Sequence, residues 1–356
     1  MLILPIELWQ LILDICPLPT QLALFQVNKF LHQRLQITDF YHIDQYFKSK
    51  LTDQILKRYP HIKHLSVNVN ECITDEGIKH MYLHTLDVSF NNNITDQGIK
   101  HMNLYSLKAS WNENITDQCI KHMNLFDLEV AGKSGVTDEG IKNMKLHSLV
   151  VSWNEKITDK GIKHMNLHTL AANGNPKITD QGIRNMNLHT LNASNNPNIT
   201  DKGIKHMNLR ILNACKNSNI TDEGIKNLNL CDLDASKNPN ITDEGIKNLS
   251  LCALNASYNK NITDQGIKHM VLHTLSAGGN CGITDEGIKY MDLDELDASR
   301  NEKITDAGIK HMNLYFLNAS YNSQITEEGI EHMKLTNLNN SINEKVSRIY
   351  SRNKHL

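Results

Sequence analysis

The stretch ITDKGIKHMNLHTL, Ile157–Leu170, returns one step later as ITDQGIRNMNLHTL, Ile178–Leu191. Reading outward from it, Thr-Asp stands at Thr74, Thr95, Thr116, Thr137, Thr158, Thr179, Thr200, Thr221, Thr242, Thr263, Thr284 and Thr305. Thr326-Glu327 continues the register with no insertion. A unit this short buries too little surface to offset its own ordering entropy. The units must therefore stack and share one continuous core, which makes the 356 residues an array rather than two or three average domains.

Each unit reads I-T-D-x-G-I-K-x-M-N-L-x-x-L-x-A-x-x-N-x-x. Alternation through Leu170, Ala171 and Ala172 has a period of two and predicts a short strand with one buried face. The preceding half predicts a helix of under three turns. Thr158 and Asp159 suit its free amides, and Lys163 and His164 suit its negative end. Ile162 and Met165 share a face, and Asn166 suits a left-handed residue that ends the helix. A further column holds Asn70, Asn91, Asn112, Asn154, Asn175, Asn196, Asn217, Asn238, Asn259, Asn280, Asn301, Asn322 and Asn343, interrupted by Lys133. A buried amide there can donate and accept toward neighbouring turns.

L-x-x-L-x-A-x-x-N resembles a leucine-rich repeat, and I-T-D-x-G-I resembles the helix start of the cysteine-containing subclass, over residues 51–343. That subclass has Cys where this column has Asn, and its units are longer. The resemblance implies an α/β leucine-rich-repeat solenoid, with a parallel β-sheet on the concave face and short helices outside. At about 4.8 Å per strand, thirteen steps make a ribbon of roughly 60 Å.

Outward positions vary where buried ones do not. The column two residues after Ala reads Phe90, Trp111, Gly132, Trp153, Gly174, Asn195, Lys216, Lys237, Tyr258, Gly279, Arg300, Tyr321. Aromatic and Arg side chains anchor protein interfaces. Phe90, Trp111, Trp153, Tyr258, Arg300 and Tyr321 are the expected target-binding residues, and the two tryptophans are expected to be exposed and without a folding role. Acidic pairs flank the second Leu: Asp127 with Glu129, Asp232 with Asp234, Glu295 with Asp297. The other reading of the column is surface drift.

The N-terminal LPIELWQLILDICPLPTQLALFQVNKFLHQRL, Leu4–Leu35, is out of period. Pro5 opens a helix with Leu8, Leu11, Ile12 and Ile15, which Pro17 and Pro19 end. Three short helices hold too many apolar side chains to bury among themselves. L-P-x-E-L-x-x-x-I-L followed by P-L-x-x-x-L-x-L-x-x-V-N-K resembles an F-box. The resemblance implies a small all-α F-box-like module preceding the solenoid. It also implies docking on the Skp-type adaptor of a cullin–RING ubiquitin ligase through Leu4, Pro5, Leu8, Ile12, Leu22 and Val27. A helical cap on the first repeat is the alternative. The expected organisation is 1–45 F-box-like module, 46–72 joining segment with an irregular first repeat, 73–343 solenoid, 344–356 cap or tail.

Several chemistries are set aside. A net charge of −2 gives no global pull toward nucleic acid or an anionic membrane. No stretch approaches the roughly eighteen apolar residues of a membrane span. The apolar N-terminus carries Glu7 and Asp14 and lacks the basic flank and small-residue site of a signal peptide. Seven irregular cysteines outline no disulfide framework, so the expected setting is intracellular and cytoplasmic. Asn-Ile-Thr triplets such as Asn93–Thr95 then read as by-products of the repeat.

The His columns (His80, His101, His122, His164, His206, His269, His311, His332; His84, His147, His168, His189, His273) point in parallel, which does not suit zinc. Gly132-Lys133-Ser134 lacks the first glycine of a P-loop, Asp127 standing there. Cys231 and Cys252 share a column but have no His or acidic orienter. The C-terminal EKVSRIYSRNKHL reads as a short basic tail or cap, and no catalytic domain is expected there. The expectation is a non-enzyme without cofactor or metal, with an adaptor and an unidentified target protein as partners. It is either a ligase substrate-recognition subunit or a stand-alone interaction scaffold.

Overall fold

A computed structural model describes residues 6–16, 20, 21, 23, 35–341, 343, 345 and 346. The chain divides into two compact units, Met1–Leu167 and His168–Leu356. Leu4, Pro5, Leu22 and Val27 lie outside the described residues.

In the first unit six strands pair in parallel and in chain order: Asp39–Phe40, His64–Ser66, Thr85–Asp87, Ser106–Lys108, Asp127–Glu129 and Ser148–Val150. The second unit does the same with Thr169–Ala171, Thr190–Asn192, Ile211–Asn213, Asp232–Asp234, Ala253–Asn255, Thr274–Ser276, Glu295–Asp297, Phe316–Asn318 and Asn337–Asn339. From His64–Ser66 onward the central Leu of a strand pairs with that of the next within each unit, as Leu212 with Leu191 and Leu233. These leucines are buried except Leu338 in the last strand, which is half-buried. Pairing begins before the period does, since Asp39–Phe40 already joins His64–Leu65 within the stretch assigned to the helical module.

The helix of each unit is a single turn, as Asp159–Ile162. Thr158 caps it by accepting from the Lys160 amide. The Asp carboxylate does not cap its own helix. Asp138 Oδ1 instead accepts from the amide of Thr158 in the next repeat at 2.7 Å, and its Oδ2 accepts from that hydroxyl at 2.7 Å. The strap explains the glycine column, because a Cβ on Gly161 would stand 2.4 Å from Asp138 Oδ1. In one repeat the position is Cys119, and the Lys121 amide there reaches Asp117 O at 3.3 Å, against 3.0 Å for Lys142 to Asp138. The added Cβ has loosened the turn.

The Asn column is buried and joins each repeat to the one before it. Asn217 Nδ2 donates to the carbonyls of Ala193, Asn196 and Ile199 at 3.0, 2.7 and 3.0 Å, while its Oδ1 accepts from the Asn219 amide. At the regular steps three backbone carbonyls are thereby satisfied away from water. Asn280 departs from this expectation. It is exposed, and the wholly buried Cys281 takes the inner place with its Sγ on the Ala277 carbonyl. Ser134 fills the corresponding place beside Lys133. Both altered turns press Gly135 and Gly282 against the preceding repeat, where a Cβ would meet Ile115 O or Ile262 O at 2.4 Å.

The left-handed residue expected at Asn166 lies elsewhere. Met165 instead closes onto Ile162 O, and the chain runs extended into the next strand. The left-handed positions fall in the turn after the strand, at Phe90, Trp111, Trp153, Tyr258, Arg300 and Tyr321 among others, with φ between 58° and 60° for these six. Gly132, Gly174 and Gly279 share that conformation at the lower cost a glycine carries.

In the first unit the helix Ile6–Ile15 presents two faces. Leu13 is fully buried, and Gln10 exchanges two hydrogen bonds with the Gln36 backbone. Leu8 and Leu11, one turn apart on the other side, are 44% and 60% exposed, and Ile12 lies between the two. No helix among the described residues is long and apolar enough to cross a membrane.

Candidate protein-binding face

In most strands the two residues that flank the buried Leu are half-buried on the opposite face, because successive side chains alternate in direction. In the first unit these include Ser106 with Lys108, Asp127 with Glu129, and Ser148 with Val150. They line an open depression of about 310 Å³ floored by Leu107 and Leu128. The Lys108 ammonium stands 3.6 Å from Glu129 Oε2 and 6.0 Å from the Tyr41 ring centroid. Burial opposes the Lys108 charge, but Tyr41, Glu129 and Asp87 outweigh it and push its pKa up. Burial also raises the Tyr41 phenol and the Asp127 carboxyl, with Lys108 working against both shifts. Two of these shifted groups, Lys108 and Asp127, line the depression, and Tyr41 lies beside Lys108.

Two rows border this face. On the leading side, before each strand, His84, Tyr105, Phe126 and His147 form a ladder of rings, with centroids 5.0, 4.8 and 4.5 Å apart and planes within 15°. On the trailing side, in the left-handed turns, Phe90 stacks on Trp111 at 5.8 Å. Trp111 lies over Gly132, where a Cβ would stand 2.3 Å from its ring. Trp111 and Trp153 are 41% and 54% exposed. Trp111 thus covers the next turn as well as facing solvent, which corrects the expectation that it has no folding role.

In the second unit Lys237 sits 5.0 Å over Tyr258, whose ring lies on Gly279, and Arg300 sits 3.9 Å over Tyr321. The trailing row there is an edge of cation–π pairs. The face carries Asp232 with Asp234 and Glu295 with Asp297. Burial and the Asp234 charge raise the Asp232 carboxyl. Many of these polar side chains also hold the turn, as Asp234 Oδ1 accepts from the Ser236 amide.

The expected target-binding residues therefore fall into separate groups: Phe90 with Trp111, Tyr258 with Lys237, and Arg300 with Tyr321. Sequence reading missed Lys108, Tyr41 and the leading ladder. The ladder had a signal, an aromatic or His at Tyr105, Phe126 and His147 in one column. Tyr41 had none, being joined to Lys108 only by the fold.

Helix-side histidines His101, His206, His311 and His332 contact the preceding repeat, as His311 Nε2 with Met291 O at 3.1 Å and His332 Nε2 with Met312 O at 2.9 Å. Among the described residues no group of three or more His, Cys, Asp or Glu converges as metal ligands would.

The Leucine Rich repeat family matches residues 60–80, 79–102, 142–165 and 184–207. No curated protein matches the sequence. One similar solved structure is a chain of the yeast Rad7–Elc1 complex, at 16% identity and a TM-score of 0.48, covering 93% of this chain and 94% of that one. Another is the TLR13–ssRNA13 complex, at 17% identity and a TM-score of 0.51. It covers 86% of this chain, which spans about half of that one, 52%. At 17% identity the second likeness speaks for the fold alone. Parallel strands and one-turn helices alternating in a 21-residue register, with those family matches, make this a leucine-rich-repeat fold, an architecture for protein interaction.

Proposed function

We propose that the chain is the substrate-recognition subunit of an SCF-type cullin–RING ubiquitin ligase. The strand face holds a target protein, and the N-terminal helices grip a Skp-type adaptor. The chain itself performs no bond-breaking step. It raises the effective concentration of target lysines near the conjugating enzyme.

The observation that carries this reading is the two-faced helix Ile6–Ile15. Leu13 and Gln10 fix one side to the chain, while Leu8 and Leu11 leave an apolar side in solvent. A helix that served only as a cap would turn its apolar residues toward the repeat. The resemblance of Leu4–Lys29 to an F-box adds the identity of the partner.

The test is binding of a purified Skp-type adaptor to the full chain and to a Leu8→Glu, Leu11→Glu double variant. These side chains are exposed, so the fold should survive, as far-UV circular dichroism would verify. The reading requires that wild type binds and that the variant loses most of its affinity. Wild type that does not bind, or a variant that binds equally, would leave the second reading, a stand-alone interaction scaffold.

A further inference from the structure

We infer that Cys231 and Cys252 form a thiol pair that closes to a disulfide between adjacent repeats. The two residues precede the strands Asp232–Asp234 and Ala253–Asn255 and share one register step. The Cys252 amide donates to Cys231 O at 2.7 Å, and the two Sγ atoms are 2.7 Å apart. Neighbouring strands run about 4.8 Å apart, within the roughly 4.4–6.8 Å that a disulfide spans between Cα atoms. With the sulfurs already 2.7 Å apart, the bond asks for little backbone movement. Cys252 is exposed and Cys231 half-buried, so a small oxidant reaches them. Neither belongs to the buried Leu, Ile and Asn columns. By contrast Cys119 and Cys281 are buried, and burial pushes the Cys119 thiol up to about 12.

The reaction balances with a small-molecule disulfide such as oxidised glutathione. One cysteine thiolate attacks it, forming a mixed disulfide and releasing one glutathione thiolate. The second cysteine then attacks the protein sulfur and releases the other. Two electrons pass from the pair to the reagent, and the two thiol protons end on the glutathiones. The hydrogen-bonded Cys231 sulfur raises the Cys252 thiol, so the pair does not hold two thiolates together, and attack is stepwise. The closed form bridges two repeats at the leading border of the face, beside Asp232.

The test is titration of the full chain with oxidised glutathione, followed by peptide mass mapping without reduction. Cys72, exposed and without a neighbouring thiol among the described residues, is the internal reference. The expected result is a linked Cys231–Cys252 peptide, lighter by two hydrogens, while Cys72 carries a glutathione. In a Cys252→Ser variant, Cys231 should hold glutathione instead, because no second thiol displaces it. Recovery of both thiols free while Cys72 is modified, or glutathione on both, would overturn the proposal.

Discussion

The buried amide column yields a prediction in which two residues that look alike in the sequence behave oppositely. Asn217→Ala removes three donated bonds and one accepted bond. Two of the carbonyls keep another partner, Ala193 O from the Asn196 amide and Asn196 O from the Ile199 amide. Ile199 O and the Asn219 amide lose theirs. Asn219 is exposed, so water can serve its amide. The buried Ile199 O left unmade costs about 1–3 kcal/mol and each of the two weakened carbonyls about 1 kcal/mol, so the expected loss is about 3–5 kcal/mol. Asn280→Ala, at an exposed position, should stay within about 0.5 kcal/mol of wild type. The assay is urea unfolding followed by circular dichroism, with the slope compared among variants because arrays can unfold in parts. Equal losses for the two variants, or a loss below about 1 kcal/mol for Asn217→Ala, would refute the assignment of the column.

Other predictions concern the strap and the face. Gly224→Ala puts a Cβ 2.2 Å from Asp201 Oδ1 and should cost about 1–3 kcal/mol in urea midpoint terms. Cys119→Gly should stabilise by about 1 kcal/mol, because relief of the contact with Asp96 exceeds the helix cost of glycine. Trp111→Ala with Trp153→Ala should weaken target capture strongly and lower stability by about 1 kcal/mol, since Trp111 also packs on Phe90 and Gly132. Asp127 and Asp232 have raised carboxyl pKa values, so their contribution is present at low pH and lost as pH rises through the folded value. Asp127→Asn should therefore flatten the fall in stability on the alkaline side of the ordinary aspartate range, and a steeper fall in pH-dependent melting would contradict this.

What the sequence disclosed was local or periodic. Thr158 as helix cap, the strand around Leu170 and the buried Asn217 follow from spacing alone, because each depends on neighbours a fixed step away. What it concealed depends on one repeat touching the next. Asp159 lies beside its own helix in sequence, yet its counterpart Asp138 serves the following repeat, a relation that only stacking creates. The left-handed backbone at Trp111 was hidden because aromatic residues seldom adopt it, although Gly132, Gly174 and Gly279 in the same column were a visible hint. The shift at Asn280 was likewise hinted by Gly282, matched by Gly135 in the other altered turn. On the face, Lys108 and Tyr41 meet across several strands, beyond the reach of any local pattern.

The proposed division of labour, adaptor at the N-terminal helix and target on the strand face, is tested most directly by hydrogen exchange of the full chain with and without a purified Skp-type adaptor. The account predicts slowed exchange at Ile6–Ile15 and unchanged exchange at Ser106–Lys108 and Asp127–Glu129. Protection of those strands with none at the helix would contradict it.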